Sequence, residues 1–573
     1  MTARSLFWIA LATTSILLSV AHTTPPELEA DSVTHQSNFA HEPGSTTSTP
    51  VSPKIIDLGY ATYQSDLAYD NGVTSFLGIR FASPPTGDLR WKAPRAPAFV
   101  SGIQNATSQP PQCPQPPSLI GSPGTKISNP FQLVRERPLR ATAHVSDEDC
   151  LFLNIHTPSN FDINTRLPVV LWIHGGGYDS GNDSSYPVQD FVQESDYGVV
   201  AVHAQYRLGV LGFLPGKAVR AGGDLNVGLL DQQFALQWIQ KHIASFGGDP
   251  GQVTIWGQSA GAGSVLQHLV AHGGRTDPPL FRAAMMESPF LPFQYHYDEP
   301  IPESLFSQVV GMVGCANATD SLDCLRSADV DALLNADITI GASSFMWTYT
   351  FVPVVDDTFI LERPIETFTS GKVNGEILYV NTNSHEGTFF VNGDMLTEAN
   401  FTLDDYVAEL FPRLGPEDIE RTVDIYTNIG LPTVTDQAAA VIGDNIFVCP
   451  AYYALEAFGV RGYKASFAIP PGTHAQDLSY VFTNFAVPAT FNNTDFQRAY
   501  AQAFLSTAMF LDPNVHFDPT NIAPYWPEWA QNHTEMLFNK TDADAPAVQT
   551  FATDEGLLKR CGWWRSIGAV TAQ

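Results

Sequence analysis

Short apolar runs alternate with helical patterns and glycine-rich turns along most of the chain. Runs of the length expected for buried parallel strands occupy residues 169–173, 199–202, 253–256, 283–286 and 377–380. Between the second and third runs, apolar residues recur at helical spacing from Leu230 to Phe246, and a Gly-Gly-Asp-Pro sequence at 247–250 ends the predicted helix. Strands that alternate with helices predict an α/β fold with a mostly parallel sheet.

A further apolar run occupies residues 5–21, after a short segment whose one basic side chain is Arg4. This run is too short to span a bilayer comfortably, and Ser19 and Ala21 stand at the two positions that a signal peptidase recognises. We therefore predict a signal peptide over residues 1–21 and secretion of the mature chain. An uncleaved membrane anchor is the alternative interpretation.

The remaining sequence divides at about residue 54. Residues 22–53 are rich in Ser, Thr and Pro with few large apolar residues, which predicts a flexible leader. From residue 54 to residue 573 no comparable break and no internal repeat occurs, so we predict one large domain with long insertions. No second apolar run suited to a membrane span follows the N-terminal one, and we expect no integral membrane association.

The excess of acidic over basic residues argues against two classes of binding partner. The chain has 29 Lys and Arg against 59 Asp and Glu, for a formal net charge of -30. Such a surface repels polyanions, so neither nucleic acid nor an anionic membrane is expected as a partner. The 44% hydrophobic and 15% charged residues are typical of a globular protein.

Cysteines and sequons agree with secretion. Six cysteines, an even number, predict three disulfides in an oxidising compartment, and their spacing alone leaves the connectivity open. No C-x-x-C pair occurs, so no metal site is predicted. Candidate glycosylation sites begin at Asn105, Asn182, Asn317, Asn400, Asn492, Asn532 and Asn539.

A candidate nucleophile lies in the G-x-S-x-G pattern at residues 257–261, which is centred on Ser259 and stands between a predicted strand and a helical segment. A tight strand-to-helix turn holds its serine in a strained backbone conformation. The glycines two residues to either side leave room for the crossing chain. The pattern predicts that Ser259 attacks an electrophilic carbon.

A serine hydroxyl needs a general base and a group that stabilises the developing negative charge. The strand predicted at 169–173 runs into an HGGG sequence at 174–177, whose unhindered backbone N–H groups are able to point at one oxygen. We assign the N–H groups of Gly176, Gly177 and Ala260 to an oxyanion hole. A plain flexible glycine turn is the alternative.

Longer sequence segments around these motifs indicate a particular protein family. They are GIRFASPPTGDLRWKAP from Gly78, EDCLFLNIHTP from Glu148, HGGGY from His174, YRLGVLGFL from Tyr206, and NVGLLDQQFALQWIQKHIASFGGDPGQVTIWGQSAGAGS from Asn226. With them the chain resembles the type-B carboxylesterase and lipase family, the cholinesterase-like branch of the α/β-hydrolases, and especially its secreted fungal members. The resemblance covers residues 54–573. It implies an α/β-hydrolase fold, with a large, mostly parallel central sheet flanked by helices.

The resemblance also supplies the two missing members of a catalytic triad, in the order serine, acid, histidine. Glu386 lies in NTNSHEGTFF after the strand predicted at 377–380, where the family places its acid. His474 lies in PPGTHAQDLSYVF, after an apolar segment, where the family places its general base. Asp477 is the nearest rival acid, and we expect it to have a supporting or structural role.

Further expectations follow from the same family blocks. They imply the disulfides Cys113–Cys150, Cys315–Cys324 and Cys449–Cys561, and a buried ion pair between Glu148 and Arg207. The loop closed by the first disulfide lies where family lipases carry a lid. Its sequence has many prolines and only a brief amphipathic stretch near 130–139, so we favour a soluble esterase over a lipase.

The sequence departs from the family pattern at three places, of which only the last bears on specificity. His242 stands where an asparagine is common. Gln258 precedes the serine where many members have glutamate. The tryptophan that cholinesterases carry upstream of the EDC block is absent from RATAHVSDEDC, so we do not expect a preference for choline esters.

The function implied is that of a secreted serine carboxylic ester hydrolase that forms an acyl-enzyme on Ser259, without metal or organic cofactor, and acts on a small-molecule or lipid-like ester. Because its base must be neutral, activity should rise with pH through roughly 6 to 7. A triacylglycerol lipase of the same fold and an amide hydrolase are the alternatives within this chemistry. A non-catalytic adhesion or binding protein is the alternative from another class. The sequence leaves the natural acyl and alcohol groups and the oligomeric state open.

Overall fold

A computed structural model describes residues 53–66, 71–115, 145–345 except residue 163, 350–391, 393, 396 and 401–573. The predicted signal peptide, nearly all of the predicted leader, and most of the loop between Cys113 and Cys150 lie outside the described residues.

In the described residues the strands are β1 (Ile55–Asp57), β2 (Thr62–Ser65), β3 (Val73–Arg80), β4 (Ile103–Ala106), β5 (Phe152–Pro158), β6 (Leu167–Ile173), β7 (Val200–Ala204), β8 (Gly248–Gln258), β9 (Ala283–Glu287), β10 (Ile377–Asn383), β11 (Gly462–Phe467), β12 (Thr534–Lys540) and β13 (Pro546–Ala552).

The α-helices of the same residues are α1 (Asp190–Glu194), α2 (Gly209–Phe213), α3 (Lys217–Gly222), α4 (Val227–His242), α5 (Ala260–Gly274), α6 (Pro300–Met312), α7 (Ser321–Arg326), α8 (Val330–Ser343), α9 (Pro364–Thr369), α10 (Leu403–Leu410), α11 (Pro416–Thr427), α12 (Val434–Gly443), α13 (Cys449–Phe458), α14 (Leu478–Val481), α15 (Thr494–Phe510), α16 (Trp529–Asn532), α17 (Glu555–Ser566) and α18 (Gly568–Thr571).

Ten of the described strands form one sheet, in the order β13-β12-β11-β10-β9-β8-β6-β7-β5-β3. The pairs from β7 through β12 are parallel, whereas β13 at one edge and β5 and β3 at the other are antiparallel to their neighbours. A smaller sheet joins β1, β2 and β4. The predicted α/β architecture with a large, mostly parallel central sheet flanked by helices is confirmed.

The central strands are apolar on both faces because helices cover both faces of the sheet. Along β6, Val169, Leu171 and Ile173 belong to one hydrophobic core, and Val170 and Trp172 belong to the core on the other face. Successive side chains of a strand point to opposite faces, so a continuous apolar run is what a doubly covered strand requires. The sequence run at 169–173 was therefore a sound basis for predicting a buried strand.

The observed end of one element differs from the apolar pattern, and the end of another agrees with it. Strand β10 continues beyond Val380 through Asn381, Thr382 and Asn383, which are polar yet buried. Hydrogen bonds rather than apolar packing hold these residues, so the hydrophobic pattern could not predict the extension. Helix α4 ends at His242 and continues as a 3-10 turn to Phe246. Gly247 then takes the left-handed φ of 84°, which confirms the predicted stop.

One continuous helical segment, Val434–Arg461, is long and apolar enough to cross a membrane by length and composition. However, 83% of its most apolar window is buried inside the protein. This segment packs as a core helix in the described fold.

The buried ion pair expected between Glu148 and Arg207 is wrong, because each residue has another partner. Arg90 donates two hydrogen bonds of 2.6 Å to the Glu148 carboxylate. Arg207 instead donates to both carboxylate oxygens of Asp231 on α4, at 2.7 and 2.8 Å. In both pairs one arginine binds both oxygens of one carboxylate, so the two groups are fully engaged with each other. The spacing of residues along the sequence does not reveal which arginine meets which carboxylate.

We predict that Asp231→Ala lowers the free energy of unfolding by about 3 to 5 kcal/mol, because Arg207 keeps a buried charge without its partner. Asp424→Ala is the matched control, since Asp424 pairs with Arg421 on the surface with both side chains more than half exposed. This control should lose less than about 1 kcal/mol. Urea unfolding of the two variants beside the wild type measures both values, and equal losses would contradict the prediction.

Candidate active site

Ser259 lies in the turn between β8 and α5, with φ 56° and ψ -125°. Positive φ is rare and strained for a residue with a side chain. The flanking glycines leave no room for a methyl group: a Cβ on Gly257 would lie 2.4 Å from the Gly261 carbonyl carbon, and a Cβ on Gly261 would lie 2.0 Å from the Ile173 oxygen. Close backbone contact therefore explains both glycines of the motif.

Two strand ends farther along the sheet bring the other predicted residues to this turn. Glu386 begins a 3-10 turn shortly after β10, and His474 follows β11. His474 Nε2 lies 2.9 Å from Ser259 Oγ, and His474 Nδ1 lies 2.7 Å from Glu386 Oε2. All three residues are at most 4% exposed. The structure thus brings together the three residues predicted as a triad, in one hydrogen-bonded chain.

The partners of His474 define its neutral tautomer. Glu386 only accepts hydrogen bonds, so Nδ1 carries the proton and donates to Oε2. Nε2 is then the acceptor and faces the Ser259 hydroxyl. The second oxygen of Glu386 accepts from the Asn383 backbone N–H at 2.7 Å, which fixes the carboxylate in turn. The imidazole is held in the orientation that a general base requires.

Aromatic rings enclose His474 in a way that the sequence analysis missed. The ring centroids of Phe390 and Phe447 lie 5.0 and 4.7 Å from that of His474, and Phe389 lies 5.8 Å away. Apolar neighbours exclude water and strengthen the hydrogen bonds among the three polar groups. Phe389 and Phe390 come three and four residues after the predicted acid, so the Glu386 block already contained them. Phe447 comes from a distant segment without any motif.

The glycine loop packs against the serine turn. A Cβ on Gly175 would lie 2.6 Å from the Gln258 oxygen and 3.0 Å from the Ser259 Cβ, so only glycine permits this approach. Gly176 and Gly177 take positive φ values of 114° and 68°. In the described part of the chain, the N–H groups of Gly176, Gly177 and Ala260 have no hydrogen-bond acceptor.

His174, which opens the glycine loop, is fully buried. Burial lowers the pKa of His174 to about 4, so its imidazole is neutral at physiological pH. Its Nδ1 lies 2.9 Å from the Gly175 oxygen, and its ring stacks on Tyr206 with centroids 4.4 Å apart. These contacts hold the start of the loop in place.

Asp477, the rival acid, makes no hydrogen bond with His474 in the described structure. Its oxygens accept from the side-chain amides of Asn381 and Asn383, each at 3.0 Å, and from the Tyr500 hydroxyl at 3.2 Å. This arrangement agrees with the supporting role expected from the sequence.

The remaining predicted sites lie away from these groups. Disulfides join Cys113 to Cys150, Cys315 to Cys324 and Cys449 to Cys561, the pairs that the resemblance implied. The loop between Cys113 and Cys150, where family lipases carry a lid, falls mainly outside the described residues. Among the residues that the structure describes, no cluster of three or more His, Cys, Asp or Glu is arranged to hold a metal ion.

The candidate glycosylation sites differ in accessibility. Four of them are exposed: Asn105, Asn317, Asn492 and Asn532. Asn539 is partly buried, and Asn400 lies outside the described residues. Asn182 is buried, and its amide donates to Gln112 Oε1 at 3.1 Å, so its nitrogen is already engaged in the fold. The exposed four remain predictions, and Asn182 is the least suited to carry a glycan.

Comparison with known proteins shows which family the sequence matches. The sequence model of the carboxylesterase family matches residues 63–555. Lipase 4 of Diutina rugosa is 32% identical over 487 residues, which cover 80% of this chain and 86% of that protein. Secreted lipase 1 of Botryotinia fuckeliana is 31% identical over 515 residues, which cover 81% and 85%.

Among solved structures, the crystal structure of Aspergillus niger EstA is similar to this one, with a TM-score of 0.79 and 30% sequence identity. The match covers 91% of this chain and 99% of that chain. The chain therefore belongs to the carboxylesterase family and is a carboxylic ester hydrolase.

Proposed function

We propose that the chain is a secreted serine esterase that forms an acyl-enzyme on Ser259, with His474 as general base and Glu386 as the triad acid. The observation that carries this proposal is the continuous chain of hydrogen bonds from Ser259 Oγ through both nitrogens of His474 to Glu386, at 2.9 and 2.7 Å. A serine, a neutral imidazole and a buried carboxylate in this order are the requirements for activating a weak nucleophile.

In the first half of the reaction, His474 Nε2 takes the proton of Ser259 as Oγ attacks the ester carbonyl carbon. The imidazolium that forms is stabilised by the Glu386 carboxylate. Collapse of the tetrahedral intermediate breaks the bond to the alcohol oxygen, which receives the proton from His474. The acyl group remains on Oγ.

In the second half, water replaces the alcohol. His474 removes a proton from water as its oxygen attacks the acyl carbon, and the same proton returns to Ser259 Oγ when the carboxylic acid leaves. All proton transfers use one nitrogen, Nε2, which is why the fixed tautomer matters.

The negative oxygen of each tetrahedral intermediate needs donors that are oriented in advance. We assign the N–H groups of Gly176, Gly177 and Ala260 to this role. Two features support the assignment: these N–H groups have no acceptor within the described structure, and the glycine loop packs directly on the serine turn. Losing one such donor typically costs about 3 kcal/mol of transition-state stabilisation.

We propose that the substrates are soluble carboxylic esters. We also propose that the protein is secreted into the extracellular medium. The N-terminal apolar run and the name of a relative described as a secreted lipase support secretion. A triacylglycerol lipase is the second candidate, because both sequence relatives compared above are named lipases. The proline-rich sequence between Cys113 and Cys150 favours the esterase.

Ser259→Ala should lower kcat for a nitrophenyl ester by about a millionfold, because the nucleophile is lost. Ser264→Ala, on the helix that follows Ser259, is the control. Its hydroxyl is buried and accepts a hydrogen bond from Gln232, so the variant loses a similar group without touching the triad. It should keep kcat of the wild-type order. Full activity of the Ser259→Ala protein would refute the nucleophile assignment.

Glu386→Gln should lower kcat by about 10³ to 10⁴-fold while leaving substrate binding unchanged. The new amide favours the wrong imidazole tautomer, as a carboxylate-to-amide change does in a Ser-His-Asp triad. Steady-state kinetics of Glu386→Gln beside Asp477→Asn compares the two acids directly. A larger loss of kcat in Asp477→Asn would make Asp477 the triad acid.

A chain-length series of nitrophenyl esters, measured beside emulsified triacylglycerol, tests the substrate class. The esterase predicts higher kcat/KM on short, dissolved acyl chains and no jump in rate when substrate forms an interface. A steep rise in activity at the solubility limit, with long chains preferred, would instead support the lipase.

A further inference from the structure

Two buried carboxyl groups, those of Glu287 and Asp477, lie close to the triad and take no part in the reaction steps described above. Glu287 ends β9, and its neighbours in register are Gln258 on β8, next to the serine, and Asn381 on β10. Asp477 follows His474 by three residues. Both acids are completely buried, and their carboxyl groups lie within hydrogen-bonding reach of each other. A hydrogen bond between two carboxyl groups requires that one of them carries a proton.

The two acids accept different numbers of hydrogen bonds from the surrounding residues. The Asp477 carboxylate accepts three hydrogen bonds, from Asn381, Asn383 and Tyr500. The Glu287 carboxyl accepts one, from Trp256 Nε1 at 2.7 Å on Oε1, and its Oε2 accepts from no donor in the described residues. Hydrogen-bond donors stabilise the charged form of a carboxyl group. The negative charge therefore belongs on Asp477 and the proton on Glu287.

Among the described residues, no lysine or arginine acts on the pair to balance two negative charges. The titratable groups that face the pair are Glu386 and His474 of the triad, and the phenols of Tyr186, Tyr379 and Tyr500. Burial raises the pKa of each phenol above its ordinary value, so these hydroxyls stay neutral. Burial, followed by the Asp477 charge, also raises the pKa of Glu287 well above its ordinary range. Two adjacent buried carboxyl groups do not both ionise near neutral pH.

Asn383 connects this pair to the triad. Its side-chain amide donates to Asp477 Oδ1 at 3.0 Å and to the oxygen of Thr473, the residue before His474, at 3.1 Å. Its backbone N–H donates to Glu386 Oε1 at 2.7 Å. One asparagine thus contacts the triad acid, the segment that carries the triad base, and Asp477.

We propose that Glu287 is a neutral carboxylic acid that donates its proton in a hydrogen bond to ionised Asp477, and that this singly charged pair positions the triad through Asn383. Both acids are positioning residues, because neither contacts the reacting atoms. The single charge on Asp477 also faces His474 and stabilises the imidazolium that forms during catalysis. The inference rests on the proposed function of the triad.

Two isosteric variants separate the roles of the acids. In Glu287→Gln the side-chain amide still donates to Asp477 and the charge of the site is unchanged. This variant should keep kcat/KM within about threefold of wild type, with the acid limb of its pH profile in place. Asp477→Asn removes the charge. Without it, the base loses its proton more readily, and the acid limb should move to lower pH by about one unit, with a roughly tenfold loss of kcat/KM.

The fold should tolerate the Asp477→Asn change. The Oδ1 atom of Asn381 has no partner in the described structure, so a turn of the Asn381 amide presents an acceptor to the new NH₂ group. Two results of the pH profiles would overturn the proposal. If Glu287→Gln moves the acid limb as far as Asp477→Asn does, Glu287 was charged. If Asp477→Asn leaves the limb unmoved, the pair does not act on the base.

Infrared difference spectroscopy tests the proton without relying on catalysis. The wild type minus Glu287→Gln spectrum at neutral pH should show the C=O stretch of a neutral carboxylic acid. Other buried acids, such as Asp183 and Asp337, are present in both proteins and cancel. A difference band from a carboxylate would instead overturn the assignment. Because this readout needs no ester turnover, failure of the proposed function and failure of the carboxyl pair give different results.

Discussion

The contact between the glycine loop and the serine turn is the constraint on which the site depends. Backbone atoms meet at the carboxyl ends of β6 and β8 so closely that Gly175, Gly257 and Gly261 have no room for a methyl group. At this contact Ser259 takes a positive φ of 56°, and Gly176 and Gly177 of the loop take positive φ values of 114° and 68°. The strain at Ser259 persists because the buried end of β8, residues 253–258, and the buried start of α5 fix the residues on either side. The rigid position of the Ser259 side chain is thus the direct result of packing.

Burial also determines which partners the polar groups near Ser259 require. A charged group in a dry site needs donors or a counter-ion, and the chain supplies donors. Glu386 is held by His474 and the Asn383 backbone, and Asp477 by two asparagine side chains and a tyrosine. Asn383 belongs to both sets. His474 and Glu386 are therefore parts of one hydrogen-bonded network that extends from the end of β10 into the loop after β11.

The sequence predicted those features of the fold and site that depend on a local pattern or on a complete motif. The apolar run of β6 predicted a strand buried on both faces, and the glycines around Ser259 predicted a tight turn. The resemblance, not periodicity, singled out Glu386 and His474. Contacts between distant segments could not be predicted in this way. Glu148 pairs with Arg90 and Arg207 with Asp231, against expectation, because spacing does not encode which carboxylate reaches which guanidinium. Phe447 and Glu287 also lacked a motif, and only the packing of their elements brings them to the site.

The central claim is that an acyl group transfers to Ser259. Rapid quenching of the enzyme during turnover of a slowly hydrolysed nitrophenyl ester, followed by proteolysis and mass spectrometry, locates that group directly. The account predicts a single acyl adduct on the peptide that contains Ser259, which forms as fast as nitrophenol is released and disappears with the turnover rate. Steady turnover with the adduct on another residue, or with no adduct when deacylation is the slow step, would contradict it.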